Sequence, residues 1–292
     1  MVQFLQQLIN GLSLGSIYAL IALGYTMVYG IIKLINFAHG DIYMIGAYVG
    51  FICTVQLGLG FFPSLIIAMV LCAIIGVVIE KIAYKPLRNA TRIAALITAI
   101  GVSYFLEAST QKIMGTSAHS VPEVLGTQTF TICGVMISME QIIIFVITIL
   151  LMLLLQYVVQ KTKIGRSMRA VSVDAEAAQL MGVNVNATIS YTFAIGSALA
   201  GAAGVLVGVY YNTVSPLMGL VPGVKAFIAA VFGGIGIIPG AMFGGFFIGI
   251  VETLVSGYGS SLYKDAVVYI ILIIILIVKP AGLLGKNVKE KV

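Results

Sequence analysis

Apolar residues run almost unbroken along this chain, and the charges that interrupt them come at wide intervals. No charged residue occurs from Met1 to Ile32, Ile42 to Ile79, Gln141 to Gln160, Ala177 to Val224, or Ala226 to Val251. About 20 apolar residues already cross the hydrocarbon of a bilayer as a helix, so several of these runs hold two spans. A β-barrel is the other spanning solution, and its strands alternate polar and apolar residues over ~10 positions. LIIAMVLCAIIGVVIE (65–80) and QIIIFVITILLMLLLQ (141–156) are instead apolar all round. The pattern predicts an all-α, polytopic membrane helical bundle, one transmembrane domain over 1–292, with eight or nine spans including a broken or re-entrant segment.

The polar interruptions set the order of the spans. Two are predicted between Lys33 and Glu80, breaking near Gly58, Gly60 and Pro63, and two more between Arg92 and Lys161. Basic residues are excluded from translocated loops. Of 16 Lys and Arg, 13 fall in four groups: Lys33; Lys81, Lys85, Arg88 and Arg92; Lys161, Lys163, Arg166 and Arg169; Lys279, Lys286, Lys289 and Lys291. All four groups are assigned to the cytoplasm. The stretch from Glu107 to Glu140 carries three Glu against one Lys and reads as an outside loop. The amino terminus then lies outside, and with no basic region ahead of the first apolar run, that run is a span rather than a removable signal.

Composition agrees: 60% hydrophobic residues, 9% charged and a mean hydropathy of +1.12 exceed what one water-soluble core of 292 residues can bury. The net charge of +6 reports topology and contact with anionic lipid headgroups, not nucleic acid. Cys53, Cys72 and Cys133 have no paired spacing, and His39 and His119 have no metal-ligand partners, so neither a disulfide framework nor a metal site is predicted. No phosphate-binding G-x-x-x-x-G-K-[ST] loop occurs, so any ATP is handled by another polypeptide. GLSLG (11–15) matches the hydrolase pattern G-x-S-x-G, yet it lies inside a continuous apolar run, where small residues four apart serve close helix packing.

The same spacing recurs in FAIGSALAGAAGVLVG, where Gly196, Ala200, Gly204 and Gly208 line one helix face and predict a tight helix contact. GGIGIIPGAMFGG (233–245) predicts a helix break at Gly236, Pro239 and Gly240, a candidate lining of a pathway. Lys225 and Glu252 are equidistant from the Ile238–Pro239 bond, so a hairpin turning there sets them at one depth, where they pair or snorkel to an interface.

INFAHGDIYMIGAY (35–48) is the densest polar cluster between two apolar runs: Asn36, His39, Gly40 and Asp41. Asn36 or Asp41 is expected to cap the second helix. As catalysts these groups lack a nucleophile and an orienting third member. They remain candidates for a polar hinge or gate, for direct solute contact, or for a proton path.

One cytoplasmic connection, KTKIGRSMRAVSVDAEAAQLMGVNVNA (161–187), has helical patterning. Asp174 is placed to cap a short helix, Glu176 sits in its first turn, and Gly182 ends it. Ala177, Leu180 and Met181 form its apolar stripe, and so short a helix must dock on something to persist. Glu176, Ala177 and Ala178 followed by Gly182 resemble the EAA loop by which permeases of bacterial ABC importers dock into their ATPase subunits. With INFAHGDIYMIGAY, GRSMRAV, VKAFIAAVFGGIGIIPGAMFGG and KPAGLLGK, the chain from about residue 4 to its end resembles the permease family for branched-chain amino acids, the LivH type. The I-x-L-P ending that follows the EAA motif in other importer families is absent; Thr192 and Phe193 stand there instead.

This resemblance implies a non-enzymatic inner-membrane subunit working with a second, related permease, two cytoplasmic ATPase subunits that use ATP and Mg, and an external amino-acid-binding protein. Asp174, Glu176, Ala177, Ala178, Leu180 and Gly182 are then the coupling residues. Family relatives serve urea, amides or other amino acids, so the solute stays open at this point. The rival reading is an ion-coupled secondary transporter, in which Asp41, His39, Lys225 or Glu252 carries the driving ion and the coupling helix has no role.

Overall fold

The computed structural model describes residues 1–285 except 35, 89, 127 and 133, and describes Arg92 without its side chain. Cys133, the Arg92 side chain and the basic tail of Lys286, Lys289 and Lys291 lie outside the described residues. Eleven α-helices dominate among the described residues. Helix α1 (Val2–Ile32) is about 46 Å long at 1.5 Å per residue, more than a hydrocarbon layer requires. It ends at Lys33, whose left-handed φ of 56° turns the chain back.

α2 (His39–Phe51) runs on through π-type turns at Ile52–Gln56, and α3 (Phe61–Ile79) through similar turns at Glu80–Tyr84. α4 (Arg92–Met114) is capped by the Thr91 side chain, and α5 (Met139–Lys161) by a reciprocal Ser138–Gln141 capping box. Two short amphipathic helices follow, α6 (Lys163–Val173) and α7 (Ala175–Leu180). α8 (Val185–Tyr210), α9 (Leu220–Gly233), α10 (Ile238–Tyr258) and α11 (Lys264–Val278) complete the bundle. Among the described residues, six of the helical stretches are long and apolar enough to cross a membrane; α2, α9 and α11 are shorter.

α1 and α8 occupy the centre, with α10 lying antiparallel along α1, and α2 and α3 flanking α8. α4, α5 and α11 turn much apolar surface outward, including Ile97, Phe105, Leu150, Leu153, Ile273 and Ile277, as helices facing lipid do. The only strands among the described residues lie at one end of the bundle. β1 (His119–Ser120) pairs antiparallel with β4 (Thr213–Val214), and β2 (Thr129–Ile132) with β3 (Val135–Ser138). Val121 and Val214 thereby cover Met44, Ala47, Tyr48 and Phe51 in the outer half of α2.

Glycines set how closely the central helices approach. A β-carbon at Gly11 would stand 2.7 Å from the Ile250 Cα, and one at Gly15 2.8 Å from that of Phe246, so GLSLG packs α1 against α10. Ser13 bonds only its own helix, donating to the Ile9 carbonyl at 3.1 Å. The stripe on α8 serves three neighbours: Gly196 abuts Gly24 of α1, Gly204 abuts Tyr43 and Ala47 of α2, and Gly208 lies near Val214. Ala200 is wholly buried between these contacts.

The helix break expected within 233–245 is present as a turn between two helices, with Gly236 inside it and Pro239 and Gly240 just after it. α9 ends at Gly233, the chain reverses over 234–237 with φ of 109° at Gly234 and 94° at Gly236, and Pro239 sits in the first turn of α10. Proline is accommodated there because a first-turn N–H has no intrahelical acceptor. The turn therefore separates two helices and precedes the proline.

Candidate functional site

The polar knot at 36–41 does not stay at the end of α1. His39 lies against Gly24 and its ring meets Tyr25 edge-on at 4.7 Å. Gly24 is eight residues before Ile32, so the chain has re-entered the bundle by about 12 Å before α2 begins. The capping expected of Asn36 or Asp41 is corrected. The N-cap is Ala38, in right-handed helical conformation and without a side-chain cap, because backbone bonds from His39 to Asn36 and from Asp41 and Ile42 to Ala38 already close the turn. Asn36 instead accepts a 2.8 Å hydrogen bond from the Tyr84 hydroxyl. Its Nδ2 and both ring nitrogens of His39 are buried without partners.

Asp41 faces a cavity of about 240 Å³ between α2, α4 and α9. Gly40 and Gly219 form its floor: a β-carbon at Gly219 would stand 2.6 Å from the Gly40 carbonyl oxygen and 3.0 Å from Asp41 Oδ1. The opposite wall is a single helical face of α4, residues Ile100, Ser103, Tyr104 and Glu107 at i, i+3, i+4 and i+7.

Lys225 and Glu252 meet elsewhere. Lys225 Nζ donates to Glu252 Oε1 at 2.7 Å, and the Tyr18 hydroxyl donates to Oε2 at 2.8 Å. Asp265 Oδ1 lies 2.5 Å from the same ammonium, and Lys264 3.5 Å from Glu252. Two acids and two bases, from α9, α10 and α11, thus form one compensated cluster against α1. Sequence symmetry pointed to the first pair. Tyr18, Lys264 and Asp265 escaped it, since nothing along the chain indicates that α11 folds back on α9 and α10.

Gly236, Pro239 and Gly240 are not brought to Asp41. Gly236 packs on Gly30 near the end of α1, and Gly240 against Gly233 across the turn. Leu283 and Leu284, beyond α11, donate backbone hydrogen bonds to Phe232 and Gly233, so the start of the carboxyl-terminal segment closes over this turn. Gly236 and Ile238 also share a small cavity of about 80 Å³ with Arg169 and Ser172 of α6.

α6 is an element that sequence inspection missed. Thr162 caps it, Met168 and Val171 bury its inner face, and Arg169 donates to the Val159 carbonyl of α5. Asp174 then caps α7 through the Ala177 N–H at 2.9 Å, Glu176 occupies the first turn, and Gly182 follows with φ of 82°. Ala178 packs inward, whereas Ala177 is exposed and Leu180 and Met181 remain 88% and 84% exposed. Beside this elbow, buried Glu80 accepts from Arg88 and from Ser190 at 2.7 Å, and Arg88 also donates to Asn186. The residues after α7 are thereby tied to the end of α3.

A lipid-length helical bundle, polar groups buried along its axis and an amphipathic elbow with an open apolar face define a polytopic membrane transport subunit. Comparison with known proteins gives the particular kind. The family model described as the permease component of the branched-chain amino acid transport system matches residues 7–276, and this chain belongs to that family. It is 45% identical to the high-affinity branched-chain amino acid transport system permease protein BraD of Pseudomonas aeruginosa, over 99% of this chain and 98% of that protein. LivH of Escherichia coli, a permease protein of the same description, is 44% identical with the same coverage. The probable branched-chain amino acid transport permease LivH of Methanocaldococcus jannaschii is 31% identical, over 94% of this chain and 90% of that one. Among solved structures, PsaBC from Streptococcus pneumoniae in complex with Fab shares the fold with a TM-score of 0.50 at 16% identity, covering 95% of this chain and 92% of that chain. The chain is accordingly a multi-pass permease component of an ABC importer of the inner membrane, and ATP hydrolysis belongs to separate subunits.

Proposed function

We propose that this subunit carries leucine, isoleucine and valine inward, receiving them from an external binding protein and working beside a second, related permease and two ATPase subunits. The observation that carries this reading is the full-length identity of 45% and 44% to permeases named for that transport. The test is uptake by the reconstituted complex. ATP-driven leucine accumulation that needs the binding protein is expected. Accumulation by this chain alone under a proton or sodium gradient would move the assignment to the secondary-carrier class.

Nine passes fit the bundle best. The turn at 234–237 packs beside Gly30 and under the residues that follow Lys279, which supports α9 and α10 as two passes. With α2 and α11 counted, the amino terminus lies outside and Lys279 inside.

The elbow of α6 and α7 is the docking element for an ATPase subunit, with Leu180 and Met181 as its apolar contact and Asp174, Glu176, Ala178 and Gly182 holding its shape. Force applied at α7 reaches α3 through Asn186, Arg88 and Glu80, and α6 meets the α9–α10 turn. The knot at Asn36, His39 and Asp41 is the hinge or gate that this force moves. Leu180→Asp should abolish co-purification of the ATPase subunits and uptake. The melting of the isolated bundle should stay put, because an exposed site of this kind shifts stability by only about 0.5 kcal/mol. Undiminished assembly would remove α7 from the interface.

A further inference from the structure

The cavity beside Asp41 carries an electrostatic imbalance that the family assignment does not address. Asp41 is 2% exposed and Glu107 8% exposed, and both face it. Among the described residues no lysine, arginine or histidine lines it, and neither carboxylate has an ion-pair partner. The polar neighbour of the Asp41 carboxylate on the α4 wall is the Ser103 hydroxyl, a neutral group that supplies no counter-charge. Carboxylates taken out of water without a counter-charge are costly, whereas the bundle's other buried acids, Glu80 and Glu252, each have a basic partner. The remaining lining combines the neutral Tyr25 and Tyr104 side chains and glycine backbone with an apolar wall of Phe37, Ile100, Leu220 and Val224. The volume, about 240 Å³, lies just below the ~300–1,000 Å³ of drug-sized sites.

The geometry points to a subsite for a primary alkylammonium group, with Asp41 and Glu107 as counter-charges, Ser103 as a neutral acceptor, and the apolar wall for a short branched chain. This rests on the transport reading above, and deepens it: the cavity takes the amino end of the travelling amino acid. Lys225 already has its acids, so it does not compete for this site.

The test uses the complete complex with Cys53, Cys72 and Cys133 replaced and Ser103→Cys introduced as a reporter. Labelling by a cationic methanethiosulfonate should exceed that by its anionic counterpart about tenfold, the factor equivalent to ~1.4 kcal/mol. 3-Methylbutylammonium should slow labelling, and 4-methylpentanoate, its anionic counterpart of the same branched shape, should not. Asp41→Asn should erase both the preference and the protection. Glu107→Gln, at the rim, should weaken them if the first variant fails to assemble. Equal labelling by the two reagents, equal protection by the two ligands, or protection by sodium as effective as by the alkylammonium would overturn the subsite. ATP-driven leucine uptake by the unmodified complex is measured separately. Uptake without charge preference sinks the subsite alone; charge preference without uptake sinks the transport reading and leaves the subsite standing.

Discussion

Glu252→Ala should deplete folded protein from the membrane more severely than any other single loss of a side chain in the bundle. Its carboxylate is the common acceptor for Tyr18, Lys225 and Lys264, and the residue is 3% exposed. Breaking a buried ion pair from one side costs about 3–5 kcal/mol, because the surviving charge stays buried. That is a large share of the ~5–15 kcal/mol that holds a typical domain together. Asp265 retains Lys225, so a fraction of protein should survive, detectable as an early-melting peak in detergent. Neutralising both members, Lys225→Met with Glu252→Gln, should restore much of the loss. Exchanging the two charges should not, since Asp265 and Lys264 would then each face a like charge. A single variant as stable as the parent, or an exchange variant that recovers fully, would show that the four groups do not act as one cluster.

The second large effect is expected at Gly204. A β-carbon there would fall inside the Tyr43 carbonyl oxygen and 2.6 Å from the Ala47 nitrogen, both in the backbone of α2. Overpacking against side chains costs about 1–3 kcal/mol, and a helix backbone yields less readily than a rotamer. Gly204→Val should therefore push α2 away from α8. Because α2 begins with His39 and Asp41, the gate should open with it: reduced uptake, a lower melting temperature, and faster water-side labelling of Cys72, which is buried against α2 and α8. Gly101 is the control. Nothing lies within 4 Å of its would-be β-carbon, and Gly101→Ala should be neutral or stabilising by up to ~1 kcal/mol from helix propensity. Equal behaviour of the two variants would remove close packing as the reason for glycine at 204.

The length and purity of the apolar runs determined a membrane bundle from the sequence alone, because no other solvent tolerates 60% hydrophobic residues in unbroken stretches. Local chemistry was equally readable where it acts within a few residues: Asp174 as a cap, Gly182 as a stop, Gly11 and Gly15 as packing positions. The Lys225–Glu252 pair was accessible by counting from a turn, even though the turn itself lies at 234–237. Only the tertiary structure decided the rest. That α11 adds Lys264 and Asp265 to the pair, that Arg88 and Ser190 share Glu80, and that a face of α4 turns Glu107 toward Asp41 all depend on which helices become neighbours. In lipid that choice rests on close backbone approach and polar pairing between segments far apart in the chain; small residues four apart mark the face that will be approached, but not which distant segment meets it.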